Sequence, residues 1–197
     1  MTTDKNKPWS PDLSAAEETT LFTIANDSLA WCVEHNQKPF DFSPYNITEK
    51  LKIPRATFVT LKINAILRGC IGSLEPSLPL YQSIHDNAVN AAMHDPRFPA
   101  VTTNELPQLD VHISILSPIT TIANIDEFKL GEHGIIIQKG YHRAVFLPEV
   151  AIEQNWNVEQ TLSYLSQKAG LPPEGWKSGT TFQVFSSVSI GSEDIPQ

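Results

Sequence analysis

Apolar residues follow two rhythms along this chain, and the switch between them lays out its elements. Leu21, Ala25, Leu29 and Cys32, joined by Ile24 and Val33, recur at the three- and four-residue steps of one helix face. Ser14 with Glu17 precedes them in a capping-box pattern, so a helix is predicted from residue 14 to near His35 and Asn36. Cys32 then sits on the apolar face as a small buried hydrophobe. Residues 38–55, punctuated by Pro39, Pro44 and Pro54, read as a loop whose Phe40, Phe42 and Tyr45 fold back onto the body. The period then drops to two. Phe58, Val59, Leu61 and Ile63, with Thr57 and Thr60 between them, read as a strand. A short turn at Asn64-Ala65 leads into a second strand from Ile66 to Ile71, which makes a β-hairpin.

Helical spacing returns after Pro79 with Leu80, Ile84, Ala88 and Ala91, and must stop before Asp95-Pro96. Residues 110–116 alternate again and read as a strand. Residues 134–138 and 142–147 flank Lys139-Gly140-Tyr141 as a second hairpin. Asn157 with Gln160 opens a helix through Leu162 and Leu165 that ends at Gly170. Phe182, Val184 and Val188 give a last strand. Hairpins dominate and strict strand–helix–strand alternation is absent. The expected fold is α+β, a largely antiparallel sheet with hairpins packed against three main helices in a two-lobed single unit. Residues 1–13 read as a loosely ordered N-terminus, 14–190 as the domain and 191–197 as a tail.

Composition narrows the function classes. Of 197 residues, 41% are apolar and 18% charged, which is a globular balance. Asp and Glu number 22 against 14 Lys and Arg, for a net charge of −8. An excess of acid argues against nucleic acid or an anionic membrane as partner, though not against one small basic pocket. Met1 to Ser10 is polar with no apolar core, and no apolar run approaches the ~20 residues of a membrane span, so a cytoplasmic protein is expected. Two cysteines make no disulfide framework. The six histidines lack metal-ligand spacing, so neither a metal nor a cofactor is expected.

One segment concentrates chemistry. Leu67-Arg68-Gly69-Cys70-Ile71-Gly72-Ser73 sets two glycines around a cysteine beside an arginine. In a regular strand, Arg68, Cys70 and Gly72 share one face, and Leu67, Gly69 and Ile71 the other. A guanidinium two residues from a thiol on the same side favours the thiolate, and Gly69 and Gly72 let a ligand approach closely. Cys70 and Arg68 are therefore candidate catalytic residues. The alternative is a glycine-kinked strand with a buried, inert thiol and an arginine in a structural ion pair. Asp95-Pro96-Arg97-Phe98 is the second candidate: a proline loop presenting Arg97 to a carboxylate or phosphate, or a loop locked by an internal Asp95–Arg97 contact.

Leu67-Arg68-Gly69-Cys70-Ile71-Gly72 resembles the hallmark of the AMMECR-one domain family, called AmmeMemoRadiSam system protein A in bacteria and archaea. The likeness continues in order. Asn90 to Pro99 is similar to the family's alanine-rich helix end and Asp-Pro-Arg-Phe loop. Glu105-Leu106 with Ile113 to Pro118, Gly134-Ile135 with Phe146 to Val150, and Lys168 to Pro172 match later blocks. The resemblance implies a two-lobed α+β fold and association with Memo-like and radical SAM proteins. It points to Arg68, Gly69, Cys70 and Gly72, and to Asp95, Arg97 and Phe98 as ligand-binding positions. The family's own reaction is not established.

This chain departs from the family pattern at three places. His112 stands where a glutamate is usual, Ser166 where many members carry a cysteine, and Asn64-Ala65 where the turn usually has a glycine. A resolving-cysteine mechanism through Ser166 is thereby put in doubt. Two readings follow. One is a cytosolic small-molecule enzyme, or component of an enzyme system, with a reactive Cys70 beside Arg68, and with Arg97 and His112 orienting substrate. The other is a non-catalytic module that holds a small anionic ligand or docks on a partner protein.

Overall fold

The computed structural model describes residues 9–34 and 38–195. Residues 1–8 of the expected N-terminal segment, the expected first-helix end at His35 and Asn36, and the last two residues of the tail lie outside them. The fold is α+β, with two four-stranded sheets built from antiparallel hairpins.

Helix α1 spans Ala15–Val33, and its start is the capping box the sequence indicates, with Ser14 and Glu17 each satisfying the other's backbone N–H. Its inner face buries Leu21, Ile24, Ala25 and Leu29. Cys32 is also buried, and that burial pushes its thiol up to about 11, which makes it inert at neutral pH. Phe40 and Phe42 do fold back: their rings lie 4.5 Å and 5.4 Å from that of His85. Strand β1 (Thr57–Ile63) turns through Asn64 and Ala65, both at positive φ, into β2 (Ile66–Ser73). Helix α2 (Leu80–Met93) follows, with Pro79 as its N-cap, and then β3 (Asp110–Leu116).

These elements form one compact unit, Ser10–Leu116, which the C-terminal strand rejoins. Its sheet order puts β2 at one edge, then β1, then β3. Val59, Leu61, Val111, Ile113 and Ile115 alternate along β1 and β3 and are fully buried on the helix-covered face. Phe58, Thr60, His112 and Ser114 point to the opposite face.

The second unit, Ser117–Ser187, holds β4 (Thr120–Ile122), β5 (Gly134–Lys139), β6 (His142–Phe146), helix α3 (Pro148–Glu153), helix α4 (Val158–Lys168) and β7 (Thr181–Phe185). Its core centres on Ile122, Ile135, Ile137, Leu162, Leu165 and Val184. Three features differ from the sequence reading. Strand β4 is too short, and α3 too short and proline-led, for periodicity to reveal. The expected last strand is two. Ser186 donates its N–H to Ser117 Oγ at 2.9 Å and accepts from the Ser117 N–H at 2.8 Å. After that anchor the chain leaves β7 and begins β8 (Ser187–Ile190) beside β3 in the other sheet.

Candidate functional site

The β1–β2 hairpin is irregular at one residue, and that residue decides where the thiol points. Ile63 faces Ile66 and Lys62 faces Leu67, but Leu61 then faces Gly69, so Arg68 is the extra residue of a β-bulge. An unbulged hairpin would pair Cys70 with Val59 and turn it toward the helices. The bulge advances the register by one. Cys70 therefore faces Thr60, on the face away from the helices, and is half-buried. The same bulge corrects the expected face assignment. Leu67, rather than Arg68, is paired opposite Lys62 on the Thr60 side, and Arg68 is re-aimed.

Arg68 is fully engaged elsewhere. Nε and Nη2 donate to the two carboxylate oxygens of Glu105 at 2.7 Å and 3.1 Å, and Nη1 and Nη2 donate to the carbonyls of Pro99 and Ala100. Glu105 also accepts from the Thr102 N–H and hydroxyl. These bonds, the Arg68 pair first, lower the Glu105 carboxyl to about 2. The Arg68 guanidinium thus fastens the loop after α2 to the sheet edge, as the structural ion-pair alternative held.

The cation beside Cys70 is Arg97. The Cys70 N–H donates to Asp95 Oδ2 at 2.9 Å, and the Cys70 carbonyl accepts from Arg97 Nη2 at 3.0 Å. Since β2 is an edge strand, these two side chains occupy the backbone groups that a further strand would take. Asp95 is buried and holds Arg97 through Nε at 2.9 Å and Nη2 at 2.7 Å. The Arg97 bonds, and after them the Cys70 N–H, drive the Asp95 carboxyl far below the usual carboxylate range. Arg97 is raised in return, chiefly by Asp95 and in smaller part by the Cys70 side chain. Its side chain is 53% exposed, and Nη1 donates to no oxygen among the described residues. Phe98 lies under the guanidinium, 5.4 Å from ring centre to Cζ. The loop is thus locked by its internal Asp95–Arg97 contact, and one edge of the Arg97 guanidinium faces outward.

The two glycines have different neighbours. A Cβ on Gly69 would stand 2.2 Å from the Ala91 carbonyl oxygen, so its absence lets α2 lie against β2. A Cβ on Gly72 would strike the Phe58 ring, which covers it on the other face. His112 shares the face of Cys70 but not its strand. It stands opposite Thr60 on β3, two strand spacings from Cys70, roughly 10 Å at the backbone. Its Nε2 meets Asp110 Oδ2 at 2.8 Å, and the Thr60 hydroxyl meets Cys70 Sγ at 3.2 Å.

Sequence reasoning missed Thr60, Glu105 and Asp110 as site residues. Asp110 was readable, two residues from His112 on the same strand face. Thr60 depends on the bulge and Glu105 on the course of a loop. Among the described residues no group of three His, Cys, Asp or Glu could hold a metal, and no helix is long and apolar enough to cross a membrane.

Fold and site together define an α+β protein with a cysteine held by a carboxylate–guanidinium clamp on an edge strand. The AMMECR1 family model matches residues 22–190, and the chain belongs to that family. Protein MJ0810 of Methanocaldococcus jannaschii is 43% identical over 116 residues, 56% of this chain and 58% of that protein. Protein NEQ441 of Nanoarchaeum equitans is 38% identical over 77% of this chain and 88% of its own. Protein MK0488 of Methanopyrus kandleri is 33% identical over 94% and 92%. The crystal structure of the uncharacterized protein PH0010 from Pyrococcus horikoshii superposes with a TM-score of 0.83 at 28% identity, over 91% of this chain and 93% of that one. The biochemical function of the family is not established.

Proposed function

We propose that the Ser10–Leu116 unit is the chemical centre of a small-molecule enzyme, or of a component of an enzyme system, with Cys70 as nucleophile and Arg97 as receptor for an anionic group on the substrate. The observation that carries this reading is the outward edge of Arg97: a guanidinium fixed beside a half-buried thiol, with Nη1 donating to no oxygen among the described residues. Fixed in this way it is pre-organised for a carboxylate or phosphate. The thiolate would attack an electrophilic carbon of the same molecule, whose leaving group departs with its electron pair. Arg68, expected in that role, is already committed to Glu105, so Arg97 takes it here.

The test uses two alkylating probes that differ in charge. Cys70 should react faster with iodoacetate, relative to iodoacetamide, than a free thiol in solution does. Replacing Arg97 by Gln should erase that preference, a change of about five- to tenfold at low salt. A Cys70 that reacts with neither probe in the folded protein refutes the nucleophile. The clamp then reads as a binding surface for a partner protein.

A further inference from the structure

We propose that Cys70, Thr60, His112 and Asp110 form a proton relay across the open face of the first sheet, in which the imidazole of His112 takes the Cys70 proton through the Thr60 hydroxyl. This rests on the reading of Cys70 as the reacting group and supplies the base that reading lacks. Arg97 can stabilise a thiolate but has no site to accept a proton.

The register supplies the argument. Cys70 stands directly opposite Thr60, and Thr60 directly opposite His112, so the three side chains form one row across three strands. Side chains directly opposite in antiparallel strands have Cβ atoms about 4.5–5.5 Å apart, within reach of a hydrogen bond between polar tips. Thiol and imidazole, two strands apart, do not meet directly, and the residue between them is a threonine, whose hydroxyl both donates and accepts.

Both ends of the row are formed. The Thr60 hydroxyl donates to Cys70 Sγ at 3.2 Å, and His112 Nε2 lies 2.8 Å from Asp110 Oδ2; the middle link, from Thr60 to His112 Nδ1, forms only when the Thr60 hydroxyl hydrogen and the ring turn toward each other. With Nε2–H donating to the Asp110 carboxylate, the neutral ring carries its lone pair on Nδ1, the acceptor a relay needs. The step conserves charge and moves no electron between molecules. The S–H bond of Cys70 breaks and its proton goes to Thr60 Oγ1. For this the Thr60 hydroxyl hydrogen, which points at Sγ in the resting structure, turns toward His112 Nδ1 and passes to it as the thiol proton arrives. Thiolate and imidazolium result, the first beside Arg97 and the second beside Asp110. Among the described residues, Lys62 stands opposite Asp110 on β1, and Asp95 accepts the Cys70 N–H at the sheet edge.

The experiment measures Cys70 alkylation by iodoacetamide, an uncharged probe, using mass spectrometry at pH 7 and pH 10. At pH 7, Thr60→Val and His112→Asn should each slow the reaction about tenfold, as expected when a thiol loses its activating partner. The double variant should be no slower than either single one, because both remove one path. Thr60→Ser, which keeps the hydroxyl, should stay within about twofold of wild type. At pH 10 an ordinary thiol ionises without help, and all four variants should react at the wild-type rate. An unchanged pH 7 rate in His112→Asn overturns the relay, as do independent losses that multiply in the double variant. A loss that persists at pH 10 overturns it too, since access rather than proton transfer would have changed. Failure of the nucleophile reading looks different: wild-type Cys70 is then itself unreactive toward both probes.

Discussion

The guanidinium of Arg68 closes on the carboxylate of Glu105 through two parallel hydrogen bonds, at 2.7 Å and 3.1 Å, with both side chains mostly buried. Such forked pairs are the strong class of ion pair, and breaking a buried one costs about 3–5 kcal/mol because the surviving charge is stranded. Both side chains keep some solvent access, so Arg68→Ala should destabilise this unit by less, about 2–3 kcal/mol. Cys70 itself is held by other bonds, to Asp95, Arg97 and Thr60, none of which involves the Arg68 or Glu105 side chain. Urea unfolding should register the loss, while Cys70 alkylation at pH 7 in the folded variant stays within about twofold of wild type. A large drop in alkylation with little loss of stability would return Arg68 to the thiol.

The same pair makes stability depend on acid. The Glu105 carboxyl is lowered to about 2 in the folded protein, while in the unfolded chain it titrates near 4.3. Between those values the unfolded chain binds the proton and the folded one does not. Falling pH therefore favours unfolding, and the contribution is fully present above about pH 4.5 and lost toward pH 2. Asp95, also lowered, acts with the same sign. Glu105→Gln should be less stable than wild type at pH 7 by about 2 kcal/mol. The two proteins' urea midpoints should draw together as pH falls through 4 and 3. Parallel midpoint curves would mean that Glu105 contributes no proton linkage.

Much of this fold is legible in the residues, and the exceptions share a cause. Capping boxes at Ser14 and Asn157, the turn at Asn64-Ala65 and the proline stop after α2 are local signals, and each marks an element that forms. The bulge at Arg68 is different. Strict alternation puts Arg68 with Cys70, yet the structure sends Arg68 to Glu105, 37 residues away, and gives Cys70 to Arg97. That exchange follows from where the loop after α2 passes, which no spacing within β2 encodes. The alternation of His112 with its apolar neighbours did reveal its face. Whether that face was also that of Cys70 depended on strand order and on the one-residue register shift.

Gly69 tests how closely α2 rests on the edge strand. An added Cβ would meet the Ala91 oxygen at 2.2 Å and the Ala91 carbonyl carbon at 3.2 Å, both backbone atoms that no rotamer change can move. Overpacking costs about 1–3 kcal/mol, and Gly69→Ala should fall at the upper end because a helix must shift. Asp95 follows α2 by two residues, so the shift should also loosen its bond to the Cys70 N–H. Hydrogen exchange at the Cys70 amide should accelerate together with the fall in urea midpoint. If Gly69→Ala keeps full stability, helix contact is not the reason for a glycine there.

The turn that starts the hairpin offers the opposite experiment, a gain. Asn64 and Ala65 both have positive φ, at 51° and 64°, the two-residue turn whose twist suits antiparallel strands and whose second position favours glycine. Alanine in that conformation costs about 1–2 kcal/mol. Glycine removes the strain but adds unfolded-state freedom worth about 0.4–1 kcal/mol. Ala65→Gly should therefore stabilise the unit by roughly 0.5–1 kcal/mol, a rise of about 2–3 °C in Tm. The turn also sets the pairing of Ile63 with Ile66, from which the bulge at Arg68 counts forward to Cys70. Because glycine keeps the turn type, the register and the Cys70 alkylation rate should not change. A stabilised variant whose thiol became unreactive would show that the hairpin had slipped, pairing Cys70 with Val59 and turning it into the core.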